Sequence, residues 1–154
     1  MKPSHPSPDL LPGLIECLDQ KGKSLEAFLA LTNSLRERLI AQEWSGIDGI
    51  VKQRQDLIFA VDQINVQIQV LQSKQPLDPE RLPDAQRKKV TELLNTLRDV
   101  SEKAQAADKE CMDRMTEWRD QTRSRLSRVR GSFKVVHGYV QKPIRPPKFL
   151  DVRR

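Results

Sequence analysis

Apolar residues recur every three or four positions along three long stretches of this chain, and this spacing constrains the fold more than any other feature. Such spacing places the apolar side chains on one face of an α-helix. A short polar segment at residues 42–46 and a proline-rich segment at residues 73–84 separate the three stretches. Aromatic residues at 5% and only six glycines disfavour a β-sandwich or a nucleotide-binding sheet. The sequence therefore predicts an all-α protein.

We predict helices at about residues 10–41, 46–72 and 85–130, which together form a bundle over residues 10–130. The first helix repeats leucine at seven-residue steps, and the third contains neither Pro nor Gly. Helices joined by a few residues pack side by side in opposite directions. The expected fold is an elongated antiparallel bundle of three long helices.

Individual residues at the helix ends and in the seam have predicted roles. Pro12 lies in a first turn, where a helix tolerates proline, and Asp84 can cap the third helix. Ser45 can cap the second helix, and Trp44 is expected to plug the turn before it. Arg54 is the one charge in an apolar row, so its head group should reach out to a carboxylate.

The two ends of the chain differ from the helical body. Three prolines in the first eight residues predict a disordered leader over residues 1–9. Residues 131–154 are predicted to form a flexible, basic, proline-containing tail. Residues 123–154 hold ten Lys and Arg against one acid, a net charge of +9, whereas residues 1–122 hold 17 against 20, a net charge of −3. A mildly acidic helical body with a basic C-terminal arm is typical of a protein that binds a partner.

No pattern of catalytic or ligand-binding residues is found. His5 and His137 lie in terminal segments, and we find no metal-ligand spacing and no glycine-rich phosphate loop. We therefore expect no enzyme activity, no cofactor and no metal.

No window approaches the roughly 18 apolar residues of a membrane span, so we expect no membrane insertion. Cys17 and Cys111 form no CxxC motif and are predicted to be buried thiols in a reducing cytoplasm.

The unequal lengths of the predicted helices indicate a binding surface. The third helix should pass the turn at residues 42–46 near Met112, so about Asp113 to Arg130 should project beyond the hairpin by roughly 25 Å. Apolar side chains on a projecting helix require cover. A second copy, the folded-back tail or a client protein could provide it. Alternatively, the helix frays or bends early and leaves scattered exposed apolar residues.

The candidate partner-binding residues of the third helix are apolar and follow helical spacing: Met112, Met115, Trp118, Leu126, Val129 and Phe133. Methionine adapts to varied partners and tryptophan commonly anchors interfaces, although both are also ordinary core residues.

A cluster of arginines between residues 123 and 130 could bind nucleic acid electrostatically. No recognition-helix motif accompanies the cluster, and cations in the last turns of a helix also complement its dipole. Nucleic acid is therefore the less favoured partner.

Three features of the chain resemble a known family. A helix containing residues 35–40 (LRERLI) is followed by the turn 42–44 and by a helix containing residues 54–58 (RQDLI). One long final helix follows a breaker. The ending combines Gly-Tyr at 138–139 with PPKFLD at 146–151. In these features the chain resembles the FlgN-type flagellar export chaperones over roughly residues 10–151, although Trp44 stands where we expect an acidic residue in the family.

The resemblance implies a cytoplasmic, ATP-independent chaperone. Its late third helix would bind the amphipathic terminal helices of flagellar hook-associated proteins and deliver these clients to the type III export apparatus. The C-terminal region would communicate with the export gate, a role that the resemblance carries to Tyr139, although this aromatic could instead fold the tail onto the bundle. The related FliT-type chaperones are not distinguished by these features. Two alternatives stay open: a homodimeric coiled-coil protein and a basic-tailed nucleic-acid-binding adaptor.

Overall fold

The computed structural model describes residues 10–140, with side chains described for residues 10–138. It contains α1 (Leu10–Ala41), α2 (Ile47–Lys74) and α3 (Asp84–Val140), with a single turn of 3-10 helix at Pro79–Arg81 before α3. Residues 10–140 contain no strand, which confirms the all-α prediction. The predicted leader and the last 14 residues of the predicted tail lie outside the described residues.

The chain forms two compact units, Met1–Met115 and Thr116–Arg154. At one end of the first unit, Leu14 and Leu18 from the start of α1 form a buried cluster with Leu97 of α3. Ile68 and Leu71 from the end of α2 pack against this cluster. The start of α1 therefore meets the end of α2 and the first part of α3.

A second buried cluster closes the other end of the first unit. Leu35 and Leu39 from the end of α1 pack with Ile47 at the start of α2 and Cys111 of α3. Together the two clusters show that α1 and α3 run in the same direction and that α2 runs antiparallel to both. The predicted antiparallel bundle is confirmed.

Between the two clusters the helices are joined partly by polar contacts. Thr32 is fully buried, and its hydroxyl donates to the carbonyl oxygen of Phe28 over 2.8 Å. The Cys111 thiol donates to the carbonyl oxygen of Thr32 over 3.5 Å. Arg54 of α2 pairs with Asp108 of α3, and its guanidinium lies 4.7 Å from the centre of the Phe28 ring. The prediction that Arg54 reaches a carboxylate is confirmed.

The turn between α1 and α2 differs from the prediction. The residue before α2 is Gly46 in the left-handed conformation, with φ 79° and no side-chain cap, so the prediction of Ser45 as the cap was wrong. Arg38 instead donates from Nη1 to the carbonyl oxygen of Ser45 over 2.6 Å. Trp44, expected as a plug, is 42% exposed. A left-handed residue favours glycine, so the backbone path of the turn decides the cap.

The third helix is longer than predicted. It ends at Val140, whereas the sequence pattern placed its end at residue 130. The prediction stopped there because Gly131 follows, yet a helical glycine costs only about 1 kcal/mol relative to alanine and does not terminate a helix. A methyl group at Gly131 or Gly138 would meet open space. The first part of the predicted tail is therefore helical.

Candidate partner-binding face of the third helix

The side chains of the second unit are largely exposed over the part that the structure describes. Of residues 116–138, none is buried and only Thr122 is half-buried. The segment nevertheless includes large apolar side chains. Such side chains in a helix without a core are candidates for contact with another molecule.

These apolar side chains lie on one face of α3, which we call the exposed stripe. Helical geometry places its five members within an arc of about 80° around the helix axis. Phe133 is 69% exposed, Leu126 is 52% exposed and Trp118 is 45% exposed. The exposed stripe consists of Trp118, Leu126, Val129, Phe133 and Val136.

The stripe continues the spacing of the buried face of α3. In the first unit, α3 buries side chains three or four residues apart, ending at Cys111, which is 1% exposed. From Cys111 the same steps lead through Met115, Trp118 and Thr122 to Leu126. One uninterrupted pattern thus includes both buried and exposed side chains.

The remaining predicted site residues have different surroundings. Met115 is half-buried and packs against the cluster that contains Leu35, Leu39 and Cys111. This contact agrees with the alternative role in the core that the sequence left open for Met115. Met112 is 56% exposed in the first unit. The side chain of Tyr139 lies outside the described residues. The assignment of all seven residues as a partner-binding set remains a prediction.

Basic side chains run along one side of the exposed stripe. We call Arg119, Arg123, Arg130 and Lys134 the basic row, because their steps of four, seven and four residues place them within an arc of about 60°. The arginine cluster of this segment was recognised from the sequence, whereas its arrangement beside the stripe was missed. The spacing of the row was available in the sequence and could have revealed it.

A second set of exposed apolar side chains was also missed. Phe59, Val66 and Val70 lie on one face of α2 and are 66%, 54% and 47% exposed. Their steps of seven and four residues are helical, and they face away from the buried rows of α2. Phe59 therefore offers a matched control for Phe133, because the two rings are almost equally exposed.

Metal-binding groups and membrane-spanning helices are not found among residues 10–138. Residues 10–138 contain no group of three or more His, Cys, Asp or Glu side chains that could hold a metal ion. In that same part of the chain, no helix has the length and apolarity needed to cross a membrane. Cys17 and Cys111 are free and buried, as predicted. Burial raises the pKa of the Cys111 thiol, which keeps it protonated and unreactive.

A family model described as FlgN protein matches residues 10–143 and so spans all three helices. No curated protein and no solved structure matches the chain. The matched region also contains the exposed stripe and the basic row. The chain belongs to the FlgN protein family, a family of flagellar export chaperones.

Proposed function

We propose that this chaperone acts in the cytoplasm and binds the amphipathic terminal helices of flagellar hook-associated proteins through the exposed stripe. Family membership supports the export role, and the stripe supports the choice of surface. The observation that carries the proposal is that Leu126, Val129, Phe133 and Val136 are each at least half exposed on one helical face. An amphipathic client helix could cover that face with its own apolar side chains.

The energetics of apolar burial favour such a contact. Burying one Leu or Phe side chain contributes about 1.5–3 kcal/mol. Four neighbouring side chains can therefore offset much of the translational, rotational and side-chain entropy that association costs. A client segment of about three helical turns is long enough to contact the stripe from Leu126 to Val136.

The second step of the proposal is delivery of the client to the export apparatus. We assign contact with the export gate to the region around Tyr139. Family membership supports this step.

The client-binding step predicts different effects for two matched substitutions. Phe133→Ala should weaken binding of a purified hook-associated protein by about tenfold or more, because central aromatic anchors dominate helical interfaces. Phe59→Ala removes an equally exposed ring from α2 and should leave the affinity unchanged. Isothermal titration calorimetry measures both affinities, and circular dichroism checks that both variants keep their helicity.

Equal affinities for the two variants would contradict the proposed surface. Failure of the wild-type protein to bind any hook-associated protein would contradict the proposed client class. If Phe133→Ala unfolds the bundle, the cooperative unfolding transition will reveal it, and Leu126→Ala provides the second variant.

A further inference from the structure

The charge beside the exposed stripe carries information about its partner. We infer that the stripe binds an amphipathic helix with acidic residues along one flank of its apolar face. This inference rests on the proposed function, because it specifies the chemistry of the helix that the stripe would bind. Family membership does not provide it.

The basic row is placed for contact with such a flank. Its four members are exposed and begin about 20° around the helix axis from the edge of the stripe. Arg125 lies at the opposite edge of the stripe. A helix packed along the stripe would therefore have basic groups on both sides, as the flanking positions of a coiled coil do.

Most of this positive charge is not neutralised within the described part of the protein. Between residues 116 and 138 there are six Lys and Arg and two acids. The acids, Glu117 and Asp120, lie on the side of the helix away from the stripe. Asp120 pairs with Arg119 over 3.3 Å, while Arg123, Arg130 and Lys134 form no ion pair with any of residues 10–138. At least three cations of the row are available to a partner.

The same charges disfavour a second copy as the occupant. Two copies joined through the stripe would bring basic flanks together in either orientation, since neither flank contains an acid. Like charges at such positions are destabilising. A nucleic acid would satisfy the cations, but its phosphates would leave the apolar stripe between them uncovered. An acidic-flanked protein helix satisfies both the stripe and the row.

Two synthetic peptide probes test the inference with the full chain. Both form the same leucine-striped amphipathic helix, and the flanking positions are Glu in one and Lys in the other. We expect the Glu peptide to bind about five- to tenfold more tightly at low salt, since several exposed ion pairs each contribute modestly. This preference should shrink at about 0.5 M NaCl, where exposed charges are strongly screened.

Charge reversal provides the sharper test. Arg123→Glu combined with Arg130→Glu should invert the preference, so that the Lys peptide binds more tightly. Arg130→Glu alone should reduce the preference. As a matched control, Arg128→Glu places the same charge change about 80° beyond the opposite edge of the stripe and should affect the preference much less. Fluorescence anisotropy with labelled peptides measures each affinity.

The outcomes separate this inference from the proposed function. Equal binding of both peptides, or equal effects of Arg130→Glu and Arg128→Glu, would overturn the charge inference. The proposed function would survive that result if a hook-associated protein still bound in a Phe133-dependent manner. Binding of duplex DNA that is insensitive to Phe133→Ala, with neither peptide bound, would overturn the inference in favour of a nucleic-acid partner.

Discussion

At the residue scale, Arg54 is a mostly buried charge within the first unit. Its side chain is 13% exposed, and it contacts both the Asp108 carboxylate and the Phe28 ring. Its Nε atom is buried without a hydrogen-bond partner among the described residues. Loss of Asp108 would therefore leave a mostly buried cation with little compensation, whereas replacing the arginine itself would remove the charge.

We predict that Asp108→Ala lowers the free energy of unfolding by about 1–2 kcal/mol, a reduced value because Asp108 is itself 40% exposed. Arg54→Met should cost less, since the methionine keeps much of the stem packing and leaves no buried charge unpaired. Urea denaturation followed by circular dichroism measures both values. If Arg54→Met lowers the free energy of unfolding more than Asp108→Ala does, the attraction between Arg54 and Asp108 contributes more to stability than the avoidance of an unpaired buried charge.

At the element scale, α3 combines a buried half with an exposed half in one continuous helix. Gly131 lies between Val129 and Phe133 in the sequence but on the side of the helix opposite the exposed stripe, and its surroundings are open. Glycine weakens the helix there by about 1 kcal/mol relative to alanine. If the client binds this segment in its helical form, the helical conformation at Gly131 matters more for client binding than the side chain at that position.

Substitutions at Gly131 test whether the segment acts as a helix. Gly131→Pro should disrupt the local helix at a cost of about 3 kcal/mol and weaken client binding, whereas Gly131→Ala should raise local helicity and preserve binding. Hydrogen exchange over residues 126–138 reports the helicity, and calorimetry reports the affinity. Unchanged binding by Gly131→Pro would show that the stripe does not act through its helical arrangement.

At the scale of the whole molecule, stability and proposed binding are assigned to different units. Every buried apolar side chain found among residues 10–138 lies in the first unit, between Leu14 and Cys111. The second unit contributes no buried side chain over residues 116–138. The hydrophobic contribution to stability therefore belongs to the first unit.

A chain ending at Met115 should keep its thermal midpoint within a few degrees, because the truncation removes no buried side chain of residues 116–138. The same truncation should abolish binding of a hook-associated protein. Differential scanning calorimetry and titration calorimetry measure the two properties. Retained client binding would move the binding surface into the first unit, where the exposed face around Phe59 would be the next surface to test.

The sequence by itself determined much of this protein. Helical spacing and the breakers predicted three helices, and α1 begins and ends where it was expected. The lone charge in an apolar row predicted that Arg54 would reach a carboxylate, but nothing in the spacing identified Asp108. The resemblance in the helices and ending led to the family that the family model confirms.

Only the tertiary structure decided which part of the apolar pattern is covered. Cys111 and Phe133 belong to one unbroken helical spacing, yet the first is 1% exposed and the second 69%. Spacing determines which face of a helix is apolar, because it depends only on the 3.6-residue period. Burial depends on whether another helix lies against that face, and this requires contacts between residues far apart in the chain.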